Sequence, residues 1–199
     1  MNDLSIKYSE ENISIFWNGV HWRDISNYLY MNVLRKIPPY SCWKEFVDNF
    51  SDRENKEAKM LTLNILSKKS CFTIELFKKL KERGFSDLAV NHALEYAERI
   101  GALSDEKKIM YYIEKAMQKG RSENWVRSSL KIYQLDEVLI DKCFSNYPGS
   151  SKEVIRSVIE KKWNWKINKD PRQKKKMIHY FLRKGFRYEE ITAAQEESE

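Results

Sequence analysis

One short pattern recurs three times at a spacing near 50 residues, and it narrows what this chain can fold into. Leu80-Lys81-Glu82-Arg83-Gly84-Phe85-Ser86-Asp87 is followed by Leu130-Lys131-Ile132-Tyr133-Gln134-Leu135-Asp136-Glu137, and then by Phe181-Leu182-Arg183-Lys184-Gly185-Phe186-Arg187-Tyr188. Each copy closes an apolar and basic helical pattern, turns at Gly or Gln, and leads into an acidic or aromatic helix start. Val90, Ile140 and Ile191 fall at equivalent positions downstream. A period of this length marks stacked supersecondary units rather than one globular core. The expected fold is mainly α: a tandem, elongated, right-handed-solenoid-like array of three three-helix repeats.

The helix boundaries are written in caps and glycines. Ser51-Asp52-Arg53-Glu54 reads as a capping box that opens the first repeat, after a short helix over 41–50. Further helices are expected from Thr73, after Ser86, from Ser104 and from Ser150-Ser151-Lys152-Glu153. Gly84, Gly101, Gly120 and Gly185 stand where left-handed caps end helices. The first 30 residues differ. Ile13-Ser14-Ile15-Phe16-Trp17 and Val20-His21-Trp22-Arg23-Asp24-Ile25 flank Asn18-Gly19, the strongest short hairpin signal. Leu4 to Tyr8 adds a third strand after a turn at Glu10-Glu11-Asn12, and Pro38-Pro39 forces an extended break before the helices begin. The expected segments are 1–50 (a β meander with a short helix), then repeats at 51–103, 104–149 and 150–199.

Several function classes lose support at once. There is no run of eighteen apolar residues and no basic-then-apolar leader, so a cytoplasmic protein away from membranes is expected. Cys42, Cys71 and Cys143 are too scattered for a zinc site or a disulfide frame. His21, His92 and His179 have no ligand spacing, and the glycines are isolated rather than gathered into a phosphate loop. No catalytic residue, metal or cofactor is therefore expected.

Charge is what remains. Of the net +7, residues 1–50 carry −1, residues 51–150 carry +3 and residues 151–199 carry +5. The stretch from Lys161 to Lys176 holds eight basic residues, one acid and two tryptophans. Asp170 as N-cap and Pro171 at the first position should start a helix inside it. Lys161, Lys162, Trp163, Trp165, Lys166, Lys169, Arg172, Lys174, Lys175 and Lys176 are thus the candidate contact residues. The cations would meet phosphate and the rings would stack on bases or pack on a partner. The plainer reading is a solvated helix start with Trp163 or Trp165 buried between repeats.

The repeat signature resembles a known family. Glu75-Leu76-Phe77-Lys78-Lys79-Leu80-Lys81-Glu82-Arg83-Gly84-Phe85 is similar to the "EL..KL..KGF" element of the RecX family of RecA regulators. Gly101-Ala102-Leu103-Ser104-Asp105 looks like that family's link into its second repeat. Asp170 through Lys174 and Phe181 through Ile191 resemble its third repeat, and the strand–Asn-Gly–strand leader matches too, so the likeness spans nearly the whole chain. Phe72 stands where the family commonly has Ser, with Thr73 beside it as a substitute cap. Ser104 replaces a first Asp, Ile109-Met110 an aromatic-Ala pair, and Gln134-Leu135 the Gly-Phe turn. The resemblance implies a non-enzymatic protein that binds the RecA–DNA filament in its groove and restrains RecA; direct contact with single- or double-stranded DNA stays open, and a monomer is expected. The residues alone leave two alternatives open: a stand-alone helical nucleic-acid-binding protein, or an adaptor for another acidic protein.

Overall fold

In the computed structural model, which describes residues 4–9, 12–163 and 170–196, the chain forms two compact units, Met1–Asp105 and Glu106–Glu199. The first unit begins with an antiparallel sheet of β1 (Leu4–Tyr8), β2 (Ile13–Trp17) and β3 (Val20–Ile25) in that order. Asn18 and Gly19 have φ of 49° and 78°, the left-handed pair that a tight hairpin requires. Strand alternation sends Ile13 and Ile15 inward, where Ile25 joins them. Glu10 and Glu11 of the expected turn lie outside the described residues.

The next elements are α1 (Asn27–Asn32), α2 (Trp43–Lys68), α3 (Thr73–Glu82) and α4 (Asp87–Arg99). The helix α1 was not expected from the sequence; the Ser26 hydroxyl caps it by accepting the Leu29 N–H. The rings of Trp22, Trp43, Phe46 and Phe50 bind the sheet to α2, with Trp22 edge-on to the other three at centroid distances of 5.2–5.5 Å. Such pairs add about 0.5–1.5 kcal/mol each beyond area burial.

Two further elements differ from the sequence expectation. A short helix over 41–50 followed by a capping box at Ser51 gives way to one continuous 26-residue α2. Phe46, Phe50, Glu54, Glu57, Ala58 and Thr62 form a single inward stripe, so packing carries the helix through Ser51. The Glu54 carboxylate is not a cap: it accepts both guanidinium nitrogens of Arg23 at 2.9 and 2.7 Å, and the Ser86 N–H at 2.8 Å. At α3, Phe72 occupies the N-cap position and Glu75 accepts its N–H at 2.8 Å. Thr73 is not the substitute cap; its own N–H donates to Asp105 at 2.8 Å.

The second unit holds α5 (Asp105–Gln118), α6 (Glu123–Leu130), α7 (Glu137–Ser145), α8 (Ser151–Trp163), α9 (Pro171–Arg183) and α10 (Tyr188–Glu196). From α2 onward the nine described α-helices fall into three triplets, as the repeat period predicts. Ile109, Ile113, Val126, Leu130, Ile140 and Cys143 are buried in the middle repeat. Ile155, Ile159, Met177, Phe181, Phe186, Ile191 and Ala194 make the core of the third.

The Gly turns carry a repeated device. In the first repeat the turn Arg83-Gly84 is seated on Ser26, whose hydroxyl donates to the Arg83 carbonyl at 2.5 Å. A Cβ at Gly84 would lie 2.9 Å from the Ser26 hydroxyl oxygen. In the third repeat the turn Lys184-Gly185 is seated on Ser122, the N-cap of α6, whose N–H donates to the Lys184 carbonyl at 3.1 Å. A Cβ at Gly185 would come within 2.5 Å of the Ser122 hydroxyl. In the middle repeat the equivalent Gln134 adopts φ 52° and is exposed, so a side chain fits there.

A candidate cationic and aromatic interface on the third repeat

The residues that matter lie where α8 ends against α9. Asp170 caps α9 by accepting the Arg172 N–H at 2.9 Å, and Pro171 supplies the first helical position. From there the 3.6-residue period sorts the side chains. Met177 and Phe181 turn inward, while Lys176, His179, Tyr180 and Arg183, spaced i, i+3, i+4 and i+7, share a flank. Lys162 and Trp163, the last two residues of α8, face that flank. Together these six residues line a cleft of about 500 Å³, within the range of ligand pockets.

Its two rings, Trp163 and Tyr180, are half-buried, and its cations, Lys162, Lys176 and Arg183, are exposed. The Trp163 ring meets Tyr180 edge-on at 5.0 Å and tilts against Phe181 at 6.0 Å, so it is half-buried and held. The Lys162 ammonium stands 4.0 Å from the Tyr180 ring centroid and 5.2 Å from that of Trp163. The Lys184 ammonium approaches Tyr180 at 5.4 Å. Among the described residues, no ion pair engages Lys162, Lys176 or Arg183, and none of the six lining residues is a carboxylate. Among the described residues, that positive charge has no ionic partner.

A second cleft, of about 380 Å³ in the first unit, is lined by Lys59, His92, Glu95, Tyr96 and Arg99. There Glu95 offsets the cations within the cleft itself, so it is a weaker anion site. Among the described residues no three His, Cys, Asp or Glu side chains gather as a metal site, and no helix is long and apolar enough to cross a membrane.

The sequence-derived candidates divide into three groups. Lys162, Trp163 and Lys176 converge on the cleft. Lys161, Arg172, Lys174 and Lys175 are exposed but stand outside its lining. Trp165, Lys166 and Lys169 lie outside the described residues. His179, Tyr180 and Arg183 were not among the candidates, although helical spacing from Lys176 connects them; the dense lysine run masks the stripe that crosses it.

Comparison with known proteins places this architecture. Residues 151–194 match the family described as RecX, third three-helix domain. The Regulatory protein RecX of Caldanaerobacter subterraneus subsp. tengcongensis is 32% identical over 143 residues, covering 71% of this chain and 70% of that protein. The chain belongs to the RecX family. Regulatory protein RecX of Vibrio vulnificus is 25% identical over 132 residues, covering 66% of this chain and 86% of its own length. Two RecX crystal structures share the fold. One aligns with a TM-score of 0.59 at 16% identity over 96% of this chain and 98% of its own. The RecX structure from Lactobacillus salivarius aligns at 0.62 and 17% identity over 72% and 96%. All six cleft residues fall inside the matched RecX third domain.

Proposed function

We propose that this RecX-family chain is a non-enzymatic regulator that binds the RecA–DNA nucleoprotein filament and restrains RecA in recombination and DNA repair. It works in the cytoplasm as a monomer, without cofactor. Family membership makes it a regulatory protein; the observation that supports a nucleoprotein target is the cationic and aromatic cleft within the third repeat, whose Lys162, Lys176 and Arg183 have no ion pair among the described residues. Filaments repeat their contacts, and a chain of three helical repeats answers with several weak contacts in series, gaining avidity without any single tight site. Lys162, Lys176 and Arg183 would supply the contact to polyanion, with Lys161, Arg172, Lys174 and Lys175 as an outer field.

The test is RecA-catalysed ATP hydrolysis on single-stranded DNA with increasing amounts of the protein. Hydrolysis should slow at or below equimolar ratios, and the protein alone should hydrolyse no nucleotide. Unchanged RecA kinetics over a wide ratio range would remove this reading. The cleft would then favour the stand-alone nucleic-acid-binding alternative, and an acidic protein partner would remain third.

A further inference from the structure

We infer that the third-repeat cleft is a subsite for one unpaired nucleobase and its flanking phosphates, so that this repeat recognises single-stranded nucleic acid as distinct from duplex. The inference deepens the reading of a nucleoprotein target by naming what the cleft itself would hold. Three observations carry it. First, the cleft combines two aromatic rings, Trp163 and Tyr180, with Lys162, Lys176 and Arg183 at its edge. Phosphate alone needs only the cations; the rings add a surface that a base face can cover. An acidic peptide would pair with the cations and leave both rings unused.

Second, the rings are pre-set. Trp163 is wedged edge-on against Tyr180 at 5.0 Å and leans on Phe181 at 6.0 Å, so neither platform must be ordered on binding. Third, the Lys162 ammonium rests 4.0 Å over Tyr180. That face of Tyr180 is thus covered by an exposed, flexible side chain that can move aside. An entering base takes that face, and Lys162 swings from a cation–π contact to the adjacent phosphate. A base within a duplex is covered on both faces by its neighbours, so it cannot enter without unstacking. Duplex would meet only the exposed cations.

The experiment uses the full chain and four probes: a labelled oligothymidylate, an abasic oligomer of the same length, a duplex of the same length, and polyglutamate. Oligothymidylate should bind about five- to a hundred-fold more tightly than the abasic oligomer, the range that stacking of one base provides. It should also quench tryptophan emission, and Trp163→Phe should abolish that quench although the other tryptophans remain. Tyr180→Leu should bring oligothymidylate down to the abasic level while abasic binding holds. Tyr180→Phe, which keeps the ring, should behave as the parent chain. Equal affinity for oligothymidylate and the abasic oligomer would overturn the subsite, as would quenching of Trp163 by duplex equal to that by the single strand. Displacement of oligothymidylate by polyglutamate at matched charge would overturn it in favour of an acidic protein contact. These outcomes are separable from regulation. Slowed RecA hydrolysis without base discrimination rejects the subsite and keeps the regulator, whereas base discrimination with unchanged RecA kinetics keeps the subsite.

Discussion

Glu54 is 3% exposed and carries four hydrogen bonds, two from the Arg23 guanidinium and two from the Ser86 N–H and hydroxyl. One carboxylate thus ties β3, α2 and the start of α4 together. Glu54→Ala removes the carboxylate acceptor of Arg23 and of the Ser86 N–H while leaving the Ser86 cap on Ala89 in place, and should cost about 3–5 kcal/mol in chemical denaturation. Glu54→Gln, which keeps one acceptor oxygen, should cost less. The Tyr28 hydroxyl donates to Glu57 at 2.8 Å, and burial followed by that carboxylate raises its pKa to about 12. Because the folded value lies above the ordinary 10.0, the contribution of Tyr28 to stability is complete below pH 10 and is lost as pH rises toward 12. Alkaline denaturation of Tyr28→Phe should therefore show a shallower decline through that window than the parent; identical curves would place the decline elsewhere. Neither role was legible in the sequence. The local string Ser51-x-x-Glu54 satisfies a capping box completely, while the true partners Arg23 and Ser86 lie 31 and 32 residues away. Local pattern and tertiary pairing compete for the same carboxylate, and only the fold shows which prevails.

At the scale of elements, turn chemistry separates the repeats. Gly185 has φ 92° and no room for a Cβ, so Gly185→Ala should destabilise the second unit by roughly 1–3 kcal/mol. Gln134 holds a similar left-handed geometry in the open, and Gln134→Gly should stabilise by about 0.5–1 kcal/mol as the strain is relieved. Thermal melts of the two variants should move in opposite directions. Much of this layer was legible: the Asn18-Gly19 hairpin, the Gly-ended helices and the helix starts at Ser86 and Asp170 follow local rules of φ and capping. The helix α1 was not, because Asn27–Asn32 is six residues long and has no repeated apolar stripe. The continuity of α2 was also hidden, since its inward face runs through polar Glu54 and Glu57. Hydropathy reads those two as surface.

For the molecule as a whole, the net +7 is concentrated in its last 49 residues, and the fold focuses part of that charge at one cleft. Lys176 and Lys174 are indistinguishable by composition, yet only Lys176 lines the cleft. Lys176→Glu should therefore weaken oligothymidylate binding more than Lys174→Glu and should make the log–log salt slope shallower by roughly 0.7 for each phosphate no longer neutralised. Melting temperatures of both should stay close to the parent value, because exposed charge changes cost little. Equal weakening by the two would mean a diffuse field rather than a site. The basic bias of this region was plain in the sequence; its focal point was not, because it needs the end of α8 beside the flank of α9. The seat of Gly185 on Ser122 has a different kind of consequence, for how such chains can be recombined. The middle and third repeats share a keyed joint, so they are not freely exchangeable modules. A chimera that imports a third repeat with any side chain at that glycine meets the α6 cap as an obstruction, while one that brings the glycine inherits a ready socket.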